Sequence, residues 1–320
     1  MANNYFNSGS AGAAGDVSYE IQDEALAEGL GRLRGVLVAA RLVTNYSAEP
    51  KAQGSRFAER VRVPIRGAAA VQTKTPGTTI TPVQFTDTKA DLAINTHSVW
   101  DVIIEDYGLL FTGPKKALGH MQDAAGQLAE AVDAKILGLY TAAGTVFGSA
   151  EAGASAALIR SVRKQSVKDK WGNVAPKNII WGPEAIDDLL AVDLFVKANE
   201  AGSDEALVNA NLGRKFGFNH YEHEGVASVA GSPTAEHALA FQKEGIGLAF
   251  MDMDTSDLPE EFKAASVQRA MSYDDDNGNP LYQMRMIIGY DQGEMGYRFQ
   301  VDTMYGVIVT RAALVYDIII

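Results

Sequence analysis

One amphipathic helix constrains this chain more than any other feature of its sequence. Pro114 suits the first turn of a helix, and the helical pattern ends near Gly144. Between them, apolar residues recur every three or four positions and form one stripe: Leu118, Met121, Ala125, Leu128, Val132, Ile136 and Leu139. A helix of about 25 residues is roughly twice the average length, so the pattern predicts a long strut.

The segment before this helix predicts a long β-hairpin. Residues 54–101 are rich in Thr and Val, apolar residues alternate at Val61, Val63 and Ile65, and Pro76-Gly77 marks a turn. The segment has too few large apolar residues to close a core of its own. We therefore expect the hairpin to lie on another chain or on the rest of the protein.

The beginning of the chain predicts an arm. Its first fifteen residues offer little to bury, which favours order only on contact with another molecule. Residues 17–45 place leucines at a helical spacing interrupted by glycines, which predicts a broken helix. The start lacks the basic and apolar regions of a secretory signal, and no run of about 18 apolar residues predicts a membrane span, so we expect synthesis in a cytoplasm.

The second half predicts an α/β lobe followed by β-strands. Helices are expected near 154–170 and from 183 to about 199, with strands at 178–181 and 216–221. From residue 262 the pattern is strand-rich, with Asn277-Gly278 at the centre of a hairpin.

Charge is distributed unevenly along the chain. With 28 basic and 40 acidic residues, a net charge of −12 argues against a broadly basic nucleic-acid surface. Eight basic residues nevertheless fall within the first 66 positions: Arg32, Arg34, Arg41, Lys51, Arg56, Arg60, Arg62 and Arg66. This asymmetry favours docking onto an acidic neighbour, including another copy of the chain, and the alternative is an ordinary mixed surface.

The stretch "NLGRKFGFNHYEHEGVAS", residues 211–228, holds the best candidate for a metal site. His220, Glu222, His223 and Glu224 are suitable ligand types, and without cysteine any metal would need such residues. Their spacing matches no metalloprotease motif, and strand alternation separates His223 from the other three. We favour a solvated or inter-subunit polar edge, with a metal site as the lesser alternative.

Other catalytic and binding motifs fail on inspection. The acidic stretch at 273–279 places Met284 where a calcium loop needs a carboxylate. The sequence contains no Walker A loop, no Gly-x-Ser-x-Gly elbow and no thiol nucleophile. These absences favour a protein that is not an enzyme and that has no cofactor.

The order of these parts resembles the major capsid protein of tailed bacteriophages, which has the Hong Kong 97-like fold. "VRVPI" and "HSVWDVIIEDYG" are similar to the entry and exit of that family's extended loop. "LAEAVDAKILGLYTAAG" resembles the end of its spine helix, and "NIIWGPEAIDDLLAVDLF" its axial strand and helix. "NLGRKFGFNHYEHEGVAS" resembles its glycine-phenylalanine strand, and "DTMYGVIVTRAALVYDI" its closing strand. The resemblance covers most of residues 50–320.

This resemblance implies an α+β fold in five parts. These are an N-terminal arm at 1–49, an extended β-hairpin loop at 50–100, a peripheral domain with the spine helix at 101–150, an axial domain at 151–261 and peripheral strands at 262–320. It also implies inter-subunit contacts at and near the hairpin, for which the candidates are Arg56, Arg60, Arg62, Lys74, Pro76, Gly77, Glu105 and Asp106.

The function implied by the resemblance is self-assembly into the pentamers and hexamers of an icosahedral shell. Such a shell encloses double-stranded DNA without sequence-specific binding, is assembled in the host cytoplasm and becomes part of the virion. The implied partners are further copies of the chain and scaffolding, portal and decoration proteins, with no membrane. Two alternatives remain: the shell of a bacterial nanocompartment, which would enclose protein, and a metal-dependent enzyme using residues 220–224.

Overall fold

The computed structural model describes most of the chain in separate ranges. These are residues 37–48, 60–67, 71–82, 84, 87–105, 114–150, 152–172, 175–192, 212–230, 235–251, 267–274 and 280–320. Within them the α-helices are α1 Ala39–Leu42, α2 Pro114–Leu137, α3 Ala156–Lys168 and α4 Pro183–Leu190. None of the helices in these ranges is both long and apolar enough to cross a membrane.

The described strands form one hairpin and two larger sheets. In chain order they are β1 Thr44–Asn45, β2 Arg60–Ile65, β3 Thr88–Ala93, β4 Thr96–Glu105, β5 Thr145–Gly148, β6 Lys177–Trp181, β7 Arg214–Lys215, β8 Phe218–Glu222, β9 Ala227–Val229, β10 Ala235–Gln242, β11 Ile246–Phe250, β12 Val267–Asp274, β13 Pro280–Asp291, β14 Gly296–Val309 and β15 Val315–Ile319.

The first large sheet, which we call the long sheet, has the order β1-β11-β14-β13-β12, with β4 paired along β14. The second, the lobe sheet, has the order β5-β15-β10-β6-β8-β7, with β9 beside β10. Strands β2 and β3 pair only with each other in the described ranges. The expected α+β class is therefore confirmed.

Helix α2 packs against both sheets through its apolar stripe. Ala125, Leu128, Val132 and Ile136 are buried, as the spacing predicted. Their cluster includes aromatic and aliphatic side chains of the long sheet and of one face of the lobe sheet: Phe250, Met284, Phe299, Val301, Tyr305, Ile180, Leu239, Phe241 and Val315. Each large side chain buried in this way contributes about 1.5–3 kcal/mol to the free energy of folding.

The other face of the lobe sheet packs against α3 and α4. Ile159 and Val162 of α3 join Ile186 and Leu189 of α4 in a second core over the sheet. The predicted helices and the strand at 178–181 are thus confirmed where they are described, although α4 ends at Leu190 and residues 193–199 lie outside the described ranges.

The base of the hairpin packs on the long sheet. Val61 and Leu92 face inward with Ala249 of β11, while Arg60 and Arg62 are exposed. Gly306 of β14 permits this approach, because a side-chain carbon there would lie 2.1 Å from the carbonyl oxygen of Ala93. The expected hairpin is confirmed at 60–65 and 88–93.

The exit from the hairpin differs from the expectation. Residues up to 101 were predicted to continue the hairpin, but β4 instead pairs with β14 over its whole length. The alternation of β4 explains the difference: Trp100, Val102 and Ile104 pack against the main core, and their opposite-facing neighbours are exposed. Burying that apolar face requires a sheet that already rests on α2.

The two sheets exchange strands, so they are not separate units. After β10 in the lobe sheet, residues Lys243–Gly245 form one turn and lead directly to β11 in the long sheet. After β14 in the long sheet, the chain returns to β15 in the lobe sheet. The N–H of Thr310 donates to the carbonyl of Gly245 at 2.9 Å, which joins the two crossings. The five-part division of the chain stays a prediction.

A buried carboxylate of α2 holds the start of the described chain. Asp133 is 1% exposed and accepts hydrogen bonds from the backbone N–H groups of Val38, Ala39 and Ala40 at 2.6–3.1 Å. These N–H groups open α1 and have no partner inside so short a helix. A carboxylate at a helix N-terminus also interacts favourably with the helix dipole.

We predict that Asp133→Ala lowers the free energy of unfolding by about 2–4 kcal/mol, because it leaves buried N–H groups without an acceptor. Urea denaturation of the purified protein measures this change. Glu130→Ala is the matched control, since Glu130 is exposed on the same helix and its loss should cost less than about 0.5 kcal/mol. Equal stabilities for the two variants would contradict the role given to Asp133.

Candidate functional site

The stretch around His220 folds as a tight hairpin between β7 and β8. Lys215 pairs with Phe218, so Phe216 and Gly217 form the turn. Both have positive φ, 49° and 86°, as the turn best suited to a two-residue hairpin requires. The single strand expected at 216–221 therefore begins at Phe218, and the glycine serves the backbone geometry.

His220 is part of the packing of the lobe. It is 6% exposed, its Nδ1 accepts a hydrogen bond from the indole Nε1–H of Trp181 at 2.9 Å, and its Nε2 lies 3.3 Å from the carbonyl oxygen of Lys215. Burial is the main reason that the pKa of His220 falls to about 4. The contact with the Lys215 carbonyl raises the pKa, and the charge of the Lys215 side chain lowers it further. The ring is therefore neutral near pH 7.

His223 faces a different neighbour. Its Nδ1 accepts the N–H of Gly225 at 2.8 Å, so its Nε2 carries the proton and lies 3.4 Å from a carboxylate oxygen of Asp133. Glu222 and Glu224 are exposed to solvent. His223 thus extends the contact between α2 and the start of the chain to the lobe.

This geometry overturns the metal-site alternative for residues 220–224. The nitrogens of His220 and His223 are engaged by different neighbours, and the two glutamates point into solvent. Among the residues that the structure describes, no three His, Asp or Glu side chains converge as a metal would need. Strand alternation correctly separated His223 from His220, but it also grouped His220 with Glu222 and Glu224. In the structure His220 is buried, whereas both glutamates are exposed at and beyond the end of β8.

The candidate contact residues lie on exposed parts of the hairpin and of β4. Arg60 and Arg62 are exposed on β2, and Arg62 is only loosely paired with Asp91 at 4.0 Å. The predicted turn at Pro76-Gly77 is present, and Lys74 beside it is exposed. Glu105 is exposed at the end of β4, whereas Arg56 and Asp106 lie outside the described residues. Their role as inter-subunit contacts stays a prediction.

The hairpin projects beyond the packed part of the protein. Val71 is 99% exposed and Ile80 is 48% exposed, although both side chains are apolar. The bonds described in this segment are local, such as that from the side-chain amide of Gln72 to the carbonyl of Thr81. Both side chains would leave water if another molecule covered this part of the hairpin.

Sequence reasoning missed two buried carboxylates that join elements distant in the chain. Asp133 is the first, and Asp302 of β14 is the second. Asp302 accepts from Arg285 Nε at 3.0 Å and lies 2.7 Å from His97 Nε2, which ties β13 and β4 to β14. The available signal was an acidic residue inside an otherwise apolar strand or stripe, because burying a charge requires partners.

Sequence comparisons alone find no relative. No protein-family model matches the chain. No curated protein matches it either.

Solved structures, in contrast, match nearly the whole chain. A chain from Mycobacterium phage Che8 gives a TM-score of 0.61 at 20% identity, over 88% of this chain and 90% of that one. The mature capsid of bacteriophage PhiM1 gives 0.58 at 12% identity, over 88% and 86%. A virus-like particle from Pyrococcus furiosus gives 0.52 at 8% identity, over 92% and 98%.

The chain has the Hong Kong 97-like fold. The resemblance inferred from the sequence is therefore confirmed at the level of fold, by matches with phage capsid chains. These matches, at 20% identity or less, establish the fold, and the expectation that the chain is not an enzyme stays a prediction.

We predict that His220 makes the stability of this protein depend on pH. Since its pKa is about 4 when folded and 6.5 when unfolded, the unfolded chain binds more protons in between. Stability from this residue is complete above pH 6.5 and falls by about 2–4 kcal/mol as the pH drops towards 4. Urea unfolding at several pH values measures the effect.

The matched variant is His220→Gln, whose side-chain oxygen still accepts the Trp181 N–H but does not titrate. The difference in unfolding free energy between the two proteins should be constant above pH 7 and should shrink below pH 6.5. Parallel curves from pH 4 to 7 would show that His220 is not held neutral by the fold.

Proposed function

We propose that this protein is the coat subunit of a tailed bacteriophage and that it assembles into an icosahedral shell of pentamers and hexamers around double-stranded DNA. The observation that carries the proposal is the match to phage capsid chains over most of both lengths. The shell would be built on a scaffolding protein, carry a portal and bind decoration proteins on its outside. The subunit would then be part of the virion.

The shape of the described hairpin supports an assembled state. Its base is anchored on the long sheet by Val61, Leu92 and Gly306, whereas the segment at 71–82 extends away with exposed apolar and cationic side chains. A subunit that leaves such surface in water gains free energy when a neighbour covers it. Assembly with further copies would provide that cover.

The negative net charge supports the proposal that the shell encloses DNA without binding it tightly. At −12 for each subunit, the coat would repel DNA phosphates on average and leave packaged DNA free to move. The second candidate is a nanocompartment shell, which the match to a virus-like particle from Pyrococcus furiosus favours because 98% of that chain is covered. The two functions differ in what the shell encloses.

Electron microscopy of purified protein, alone and with lysate of its source, tests this function. We expect uniform closed shells or rings of five and six, and nuclease-protected double-stranded DNA in the particles recovered from the source. Shells that hold a defined protein and no protected DNA would establish the nanocompartment instead. Dispersed monomers under every condition, including with the lysate, would contradict both.

We predict that reversing the two exposed charges of β2, Arg60→Glu with Arg62→Glu, weakens assembly at low salt by about tenfold in the concentration required. The effect should diminish as salt screens the charges. Light scattering over a concentration series measures assembly. Val61 and Val63 stay in place, so the hairpin should remain anchored. Assembly indifferent to both the substitutions and the salt would remove these arginines from the interface.

A further inference from the structure

The lobe sheet has two ends that are set by its strand directions. Strands β6 and β8 are parallel, so both begin at one end and finish at the other. Strand β10 is antiparallel to β6 and runs the opposite way. Since β6 is five residues long, the two ends are about 15 Å apart.

The end at which β6 begins is basic. Lys177 opens β6, Arg214 and Lys215 form β7 beside the start of β8, and Lys243 follows the end of β10. The second half of α3 and the turn after it add Arg163, Lys164, Lys168 and Lys170. We call these eight residues the basic end.

The basic end carries few carboxylates of its own. Asp169 and Glu244 lie there, and Asp169 already accepts a hydrogen bond from the hydroxyl of Tyr316 at 2.5 Å. In the part of the chain that the structure describes, Arg163, Lys177 and Arg214 form no ion pair with a carboxylate. Burial first, and then the charges of Arg163 and Arg214, lower the pKa of Lys177.

The end at which β6 finishes is acidic. Glu222 closes β8 opposite Trp181, Glu224 follows it, and α4 begins directly after β6 with Glu184, Asp187 and Asp188. Glu236 lies at this same end of the sheet, because β10 begins at Ala235 and runs antiparallel to β6. We call these six residues the acidic end, and neither α4 nor the end of β8 nor the start of β10 contains Lys or Arg.

The acidic end is also crowded with like charges. Glu236 is buried and accepts the N–H of Ala185 at 3.2 Å, which caps α4. Burial raises the pKa of Glu236, the backbone hydrogen bonds oppose that rise, and the negative charges of Glu184 and Asp188 add to it. The histidines on this side, His223 and His237, are already paired with Asp133 and Asp317.

We propose that the basic end of one subunit docks onto the acidic end of a second copy of this chain, head to tail. A contact between two different surfaces of the same subunit generates a ring when the rotation closes. The contact rests on the proposed shell function, and it identifies the surfaces through which the lobes of neighbouring subunits meet in one ring.

A second copy is the partner favoured by charge. The chain itself supplies a carboxylate-rich surface matched to its cation-rich one, and each surface contains repulsion that the other relieves. A nucleic-acid backbone would engage the basic end alone and would leave the acidic end unexplained. The exposed members of both sets, such as Lys164 and Asp187, can meet a neighbour without unfolding the lobe.

The test reverses each end separately and then both. One variant carries Arg163→Glu and Lys164→Glu, and the other carries Glu184→Lys and Asp187→Lys. Each should raise the concentration needed for assembly by about tenfold at low salt. A protein with all four substitutions again has opposite charges at the substituted positions of the two ends, and we expect it to assemble close to the wild-type concentration.

A mixture of the two single-end variants gives a further, independent result. One variant is reversed at two of the eight residues of its basic end and the other at two of the six residues of its acidic end. Matched charges at every contact between substituted positions therefore require strict alternation of the two variants around a ring. Alternation closes in a ring of six but not in a ring of five. We therefore expect the equimolar mixture to form rings of six, flat sheets or tubes in place of closed shells.

Controls separate folding from docking. Lys135→Glu and Glu130→Lys reverse exposed charges on α2, outside both ends, and should assemble normally. Circular dichroism and thermal unfolding of every variant report whether the subunit is intact. An intact four-substitution protein as defective as each single-end variant would overturn the head-to-tail contact.

Other outcomes decide between this contact and its alternatives. Single-end variants that form shells at the wild-type concentration would overturn the contact while leaving the shell function in place. If the Arg163→Glu, Lys164→Glu protein assembles normally but its particles retain less DNA, the basic end binds nucleic acid and the proposal is wrong. Absence of shells from wild-type protein in source lysate would instead contradict the function on which the contact rests.

Discussion

The apolar stripe of α2 can leave water only when both sheets are in place, because no single sheet covers it. Strands of the long sheet pack along it, and near its end one face of the lobe sheet joins the same cluster. Asp133, which lies beside Val132 on this helix, extends the arrangement to the start of the described chain and to His223. The helix therefore fixes the relative position of elements that are distant in sequence.

Periodicity predicted the elements whose apolar residues face one neighbour, and it failed where two neighbours compete. The spacing of α2 and the run "NIIW" were enough to predict these two elements, because the apolar residues of each can be buried in only one way. Strand β4 was assigned to the hairpin because its alternation fits either partner equally well. Strand β4 pairs with β14, which lies about 200 positions away in the chain, so local sequence does not identify its partner.

The candidate site divides in the same way. The turn at Pro76-Gly77, the exposed arginines of β2 and the separation of His220 from His223 follow from local sequence. The partners of the two histidines, Trp181 and Asp133, lie in elements that are distant in the chain. The opposition of a basic and an acidic end is invisible in the linear sequence, because Lys177 and Lys243 come together only when β6 and β10 pair. Charge in this chain is organised by strand direction.

The exchange of strands between the sheets has a mechanical consequence. Tension applied to the lobe sheet is transmitted to the long sheet through the short connection from β10 to β11 and through the return from β14 to β15. The hydrogen bond between Thr310 and Gly245 joins these two connections, so both bear the force. The two sheets of the protein should therefore deform together. Any change in the diameter of a particle built from it would then be accommodated by sliding or tilting at the seams between subunits.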